Sequence, residues 1–264
     1  MNICMIGSGN VATHLSVALA AQHHTILGVY SLHTENAKQL AQKVKAPIAT
    51  NNIAALPQAD CYIFSVKDTA LQQIIEIAKA THDLTDTLCI HTAGSMPLNV
   101  FKDTKQAAVL YPMQSFSKGK TVDFHHLPLF VEANSPIAFQ RVNQLANELS
   151  DNVTPLDSER RKVLHLAAVF ANNFTNHCCT LAYELLQKND IEPTCLLPII
   201  DETNRKLHTM SPKQAQTGPA VRWDENVMTM HKNMLRDEPQ MLQIYTSMSQ
   251  SIHQTSTTKT EKEQ

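Results

Sequence analysis

Four apolar residues, Ile3 to Ile6, run directly into Gly7-Ser8-Gly9-Asn10, and a small-residue helical period follows to Gln22. The same succession of a short apolar run and a helix-period segment recurs through the first half of the chain. It predicts strands at Ile3–Ile6, Thr25–Tyr30, Cys61–Val66, Thr87–His91, Ala107–Leu110 and Leu129–Glu132. It predicts helices over Asn10–Gln22, Thr34–Val44, Thr69–Ala80 and Pro136–Leu149, with Thr34 and Asp68 as N-caps. Runs that are apolar at every position suit strands covered on both faces. The pattern therefore predicts an α/β fold with a doubly wound, mostly parallel sheet.

The period changes after Asp157. From Ser158 to Gln187 the pattern is helical for about thirty residues, and further helical segments follow at 193–209, 224–235 and 239–251. No strand signal occurs there. The expected organisation is a sheet domain over 1–157 and an all-helical domain over 158–253. The last residues, 254–264, lack apolar positions and are expected to be disordered.

Gly7-x-Gly9-x-x-Ala12 matches the G-x-G-x-x-G/A dinucleotide fingerprint of the Rossmann fold, and it lies between a strand and a helix as the fingerprint requires. The first glycine permits the tight turn, the second lets the backbone approach a pyrophosphate, and the small third residue lets helix and strand pack closely. Free N–H groups at the helix start would face the anion. Gly7, Ser8, Gly9, Asn10 and Val11 are therefore the expected cofactor contacts; a glycine turn without a ligand is the alternative. An NAD site usually ends its second strand in an acid. Here that end reads Ser31-Leu32-His33-Thr34, with Lys38 near, which favours a 2′-phosphate and hence NADP over NAD. Thr34 and His33 could instead merely cap the helix and face water. Ser65, Val66 and Lys67 follow the next strand and His91 and Thr92 the one after, at the carboxyl edge where open sheets bind ligands. The same edge carries His91–Ser95 and Tyr111–Phe116, whose polar side chains beside Gly and Pro suit a site floor; all these stretches also suit ordinary turns.

In the helical half, LHLAAVFANNFTNHCCTLAYELL carries a polar stripe. At about 100° per residue, His165, Asn172 and Asn176 fall within about 40° of one line, with Arg161 a turn earlier. Phe170, Phe174, Leu181 and Leu185 would point the other way, into a core. The stripe could line a cleft, form an interhelical network or face solvent. Thr217-Gly218-Pro219-Ala220-Val221-Arg222-Trp223-Asp224 places an arginine and an acid just before a helix. Asp224 could cap that helix and hold Arg222, and an arginine so held could clamp a carboxylate or simply pin the loop.

Composition narrows the function. Hydrophobic residues make up 43% of the 264, enough for a core. The net charge of −2 provides no basic face for nucleic acid, and no apolar run is long enough for a membrane span. No basic segment precedes the first strand, so no secretory leader is expected. The 6 cysteines form no CxxC, which suits a reduced, cytoplasmic protein. The 13 histidines show no standard ligand spacing; His125-His126 is a weak fragment, and no metal is assigned.

GSGNVA, HTAGS, YPMQSFS, LHLAAVFANNFTNH and TGPAVRWDENV together resemble Rossmann-like NADP- or deazaflavin-dependent oxidoreductases with a helical C-terminal domain of unknown function. The resemblance runs from Asn2 to about His253. It implies kinship with pyrroline-5-carboxylate reductases, ketopantoate reductases and 6-phosphogluconate-type dehydrogenases, an active site between the domains and a homodimer through the helical one. The dehydrogenase lysine is not reproduced, because Lys162 is followed by Leu166 where an asparagine would stand. Leu32 replaces an arginine common at the end of the second strand. The expectation is an NAD(P)-dependent reductase of a small carbonyl or imine compound, NADP being favoured and a deazaflavin the lesser alternative. His165, Asn172, Asn176, Arg222 and Asp224 are its candidate catalytic groups. A nucleotide-binding protein without catalysis is the reading from another class.

Overall fold

The computed structural model describes residues 1–117 and 119–257. Within them lies one eight-stranded sheet, ordered β3-β2-β1-β4-β5-β6-β7-β8. The strands are β1 (Asn2–Ile6), β2 (Thr25–Tyr30), β3 (Ile48–Thr50), β4 (Cys61–Phe64), β5 (Leu88–His91), β6 (Ala107–Pro112), β7 (Leu129–Ala133) and β8 (Val153–Pro155). Only the β6–β7 pair is antiparallel. The order reverses at β1, which lies between β2 and β4, and such a switch point opens a crevice at the carboxyl ends of the strands.

Alternate residues of each central strand feed two cores. Ile3, Met5, Cys61, Ile63, Leu88 and Ile90 join one, with residues of α1 (Asn10–Ala21), α2 (Thr34–Val44) and α4 (Pro136–Leu149). Cys4, Ile6, Tyr62, Phe64 and Cys89 join the other, with α3 (Asp68–Thr81). Burial on both faces is why these strands read as continuous apolar runs. Cys4, Cys61 and Cys89 are buried and free, and burial pushes the thiols of Cys4 and Cys89 up to about 12, so they pack as small hydrophobes.

Two expected caps are corrected. Thr34 is the first residue of α2, and His33 stands at the cap without a side-chain bond. Asp68 likewise opens α3, behind Lys67, and its carboxylate accepts a hydrogen bond from the Ser95 hydroxyl. β3 and β8 were not legible because three residues carry no period; Pro155 is tolerated on β8 because that strand is an edge.

The segment from Ser158 to Gln187 is helical without a break, but it is not uniform. α5 (Ser158–Ala168) passes through a π turn (Val169–Phe174) into α6 (Thr175–Gln187). The chain divides into two compact units, Met1–Asn173 and Phe174–Gln264. This division falls within the π turn, and α5, on its near side, is fastened to the sheet. Arg161 is fully buried; its Nη1 donates to Glu132 Oε2 of β7 at 2.5 Å and its Nη2 to the Met96 carbonyl at 2.6 Å. The Ser158 hydroxyl donates to the same carboxylate at 2.8 Å and accepts from Leu98 N–H at 2.9 Å.

The second unit contains α6, α7 (Leu197–Lys206), α8 (Pro212–Ala215), α9 (Pro219–Arg222), α10 (Glu225–Met234) and α11 (Pro239–Thr257). The expected tail is corrected in part: Gln254 to Thr257 continue α11, and the remainder of that stretch lies outside the described residues. Phe170 and Phe174 do not enter a core as expected; they are 62% and 50% exposed.

Candidate active site

Four loops meet in one row at the carboxyl edge, held by the ladder itself. Gly7 N–H donates to Tyr30 O at 2.8 Å, Ser65 N–H to Ile6 O at 2.7 Å and Thr92 N–H to Phe64 O at 3.2 Å. Side chains join the row in pairs: Ser8 Oγ donates to Ser31 Oγ at 2.7 Å, and Thr92 Oγ1 to Ser65 Oγ at 3.0 Å. Gly7 has φ of +123°, and a Cβ there would lie 2.1 Å from the Ser65 carbonyl oxygen, so only glycine fits. At Gly9 a Cβ would meet nothing within 4 Å. Gly9 caps α1 with no side-chain hydrogen bond, which leaves the first-turn N–H groups for an anion. The geometry fits a pyrophosphate lying over Gly9 against the backbone of Asn10 and Val11. The Asn10 side chain is occupied, donating to Phe116 O at 2.7 Å.

At the second strand, Ser31 is nearly buried beside Ser8, whereas His33 is exposed. Leu32 is 75% exposed, and Lys38 lies 3.7 Å from Glu35. Val66 is half-buried and Lys67 exposed in the loop after β4. His91 is corrected: its side chain is fully buried, its ring stacks on Phe101 at 5.6 Å, and it offers no surface to a nucleotide. Its Nδ1 accepts from Ala93 N–H at 3.2 Å. Burial first, and the Arg161 charge second, push the His91 pKa down to about 3, so the ring is neutral.

A second cluster lies in the same unit. The Tyr111 hydroxyl, at the end of β6, is hydrogen-bonded to His165 Nδ1 of α5 at 3.1 Å. Their rings meet edge to face at 6.0 Å. Gly94 makes this pairing possible, since a Cβ there would lie 2.6 Å from His165 Nδ1 and 3.0 Å from Tyr111 Cε2. Burial raises the Tyr111 pKa against a smaller opposing pull from Arg161, which keeps the phenol protonated. A cavity of about 340 Å³ is lined by this pair with Gln114, Ser115, Asn172 and Asn173.

The chain is similar to known proteins along almost its whole length. Residues 2–93 match the family described as NADP oxidoreductase, coenzyme F420-dependent, and residues 127–252 match a domain of unknown function, DUF2520. A crystal structure of a "putative NADP oxidoreductase" from Bacteroides fragilis is 45% identical, with a TM-score of 0.91 over 96% of this chain and 98% of that one. This chain belongs to that NADP oxidoreductase family. A protein from Thermotoga maritima shares the fold at 19% identity and a TM-score of 0.72, over 97% of this chain and 99% of that one. So does an imine reductase from Myxococcus stipitatus solved in complex with NADP+, at 14% identity and a TM-score of 0.65, over 96% and 94%. No curated protein matches by sequence.

In this NADP oxidoreductase the π turn alters the expected stripe. A π turn takes more residues per revolution than an α-helix, so positions beyond it lose the 100° phase. His165 and Asn172 still line one cavity, joined by Asn173, and Asn176 is absent from its lining. Asn176, Arg222 and Asp224 belong to the second unit. There Asp224 Oδ1 caps α10, accepting from Val227 N–H at 3.2 Å. Among the described residues it makes no ion pair with Arg222, which is exposed. Asp224 is thus a structural cap, because its carboxylate is committed to the helix start. Sequence reasoning offered the stretches that hold Gly94 and Tyr111 as a site floor but gave neither residue a role. Their motifs were visible at the sheet edge, but the contact with His165 crosses more than fifty residues of sequence.

Proposed function

We propose that this NADP oxidoreductase reduces a small carbonyl or imine compound, with NADPH preferred over NADH. The observation that carries the reading is the Tyr111–His165 hydrogen bond at 3.1 Å on the wall of a cavity of about 340 Å³. Gly7, Ser8, Gly9, Asn10, Val11 and Ser31 would hold the nucleotide, with His33 at its 2′-phosphate and Ser65, Val66, Lys67 and Thr92 beside its ribose and ring. The bound nicotinamide supplies the hydride.

The chain supplies the proton and the orientation. Tyr111 donates to His165 Nδ1, which fixes the imidazole tautomer with its proton on Nε2. As His165 gives that proton to the substrate oxygen or nitrogen, the Tyr111 hydroxyl proton passes to Nδ1, so the imidazole stays neutral and the phenolate is reprotonated from solvent; Asn172 orients the same substrate atom by hydrogen bonding. General acid catalysis of this kind is worth roughly 10²–10⁴-fold. His165→Ala should therefore lower kcat by about that factor on a responsive keto acid or cyclic imine, with NADPH affinity unchanged. Unchanged turnover would remove His165 from the proton role.

One observation favours a different hydride source: the matched family description names coenzyme F420. A purified protein that binds a deazaflavin and neither nicotinamide nucleotide would establish that reading instead. The helical unit is proposed to pair with a second copy of the chain.

A further inference from the structure

The described residues hold a second cluster of chemistry-bearing side chains that shares no residue with the site above. We propose that His125, His126 and Asp151 form a binding site for a late divalent transition metal of the zinc class.

One ligand atom from each residue lies within 4.8 Å of the other two. The donor set, two imidazoles and a carboxylate, suits zinc, nickel, copper or cobalt, and it is too poor in oxygen for magnesium or calcium. The donors come from two segments, the loop before β7 and the turn between α4 and β8. Backbone bonds lock those segments together. Asp151 N–H donates to His125 O at 2.9 Å, and the buried Ser150 hydroxyl donates to Leu127 O at 2.7 Å and lies 3.1 Å from His125 O. His125 N–H is in turn held by Asp123 Oδ1 at 2.9 Å. The scaffold is therefore fixed without help from the three donor side chains, which remain exposed.

His126 Nδ1 and Asp151 Oδ2 are 2.9 Å apart, bridged by a proton. A metal bound at about 2.0–2.2 Å from each would replace that bridge and spread the pair only slightly. The His125 and His126 rings stack at 4.4 Å, so one must rotate to present its nitrogen. The His126 side chain is 76% exposed, which leaves it room. His125 and Asp151 also border a groove of about 690 Å³, which gives space for water at the remaining coordination positions.

The test is calorimetric titration of the metal-free full chain with zinc chloride alone, repeated with magnesium chloride and with the variants His126→Ala and Asp151→Asn. Asp151→Asn keeps the backbone bond to His125 and serves where His126→Ala folds poorly. The expected result is one saturable zinc site, no magnesium heat, about tenfold or greater weakening in either variant, and unchanged NADPH binding. Absence of saturable zinc binding would overturn the proposal. So would equal affinity in both variants, which would place the metal on other histidines or cysteines.

Discussion

At the scale of single residues, the site depends on two glycines for different reasons. Gly7 combines a left-handed φ with a carbonyl oxygen where its Cβ would go. Gly7→Ala should cost roughly 1–3 kcal/mol of stability and abolish NADPH binding, as read by denaturant unfolding and nucleotide fluorescence. Gly94 has no positive φ; it is required by the ring of His165. Gly94→Ala should leave nucleotide affinity intact and lower kcat, because the added methyl pushes His165 away from Tyr111; a Gly94→Ala enzyme with full kcat would contradict that geometry. His91 gives a pH signature. Its folded pKa of about 3 lies below the ordinary 6.5, so between these values the unfolded chain binds the extra proton. Stability should therefore fall as pH drops from about 6.5 towards 3. His91→Asn should make that slope shallower in urea titrations across the range, and an unchanged slope would assign the acid sensitivity elsewhere.

At the scale of elements, α5 reaches the sheet through a buried charge. Removing one partner of a buried ion pair leaves the other charge uncompensated, at a cost of about 3–5 kcal/mol. Glu132→Ala should lower stability by that order, since Arg161 would remain fully buried without its carboxylate; urea midpoints measure it. The strands and most helices were legible because each central strand is apolar on both faces and each helix repeats its apolar positions at the right spacing. The Gly7–Ala12 turn was legible for the same local reason. The edge strands β3 and β8 carried too few residues to show a period, and the caps of α2 and α3 lay one residue from the side chains best suited to them. The π turn could not be read either. Nothing in VFANNF announces an extra residue per turn, yet it decides that Asn173 joins the cavity of His165 and Asn172. The Tyr111–His165 pair and the Arg161–Glu132 pair join distant segments, and no local pattern encodes such contacts.

At the scale of the whole molecule, the two units differ in how they bury apolar surface. The first holds both cores of the sheet. In the second, Ala220, Met228 and Leu235 are buried, whereas Ile191, Leu197, Ile199, Leu207, Met230 and Met234 stand between 46% and 67% exposed. Exposed apolar residues in this number suit the proposed pairing of two helical units, a second copy being the partner that symmetry makes commonest. Light scattering should give twice the 29.4 kDa of one chain, and Met234→Glu or Ile199→Glu should shift the protein towards monomer; a monomeric parent chain would refute the pairing. Among the described residues, no helix is long and apolar enough to cross a membrane. The central claim, that the glycine turn holds a nicotinamide dinucleotide, is tested most directly by titrating the protein and its Gly9→Asp variant with NADPH and NADH under nucleotide fluorescence. An aspartate suits the N-cap of α1, so the variant should remain folded while its charge and bulk occupy the open space over Gly9. Saturable binding, tighter for NADPH and lost in Gly9→Asp, is the predicted result. Binding of neither nucleotide, or equal binding by the variant, would contradict the account.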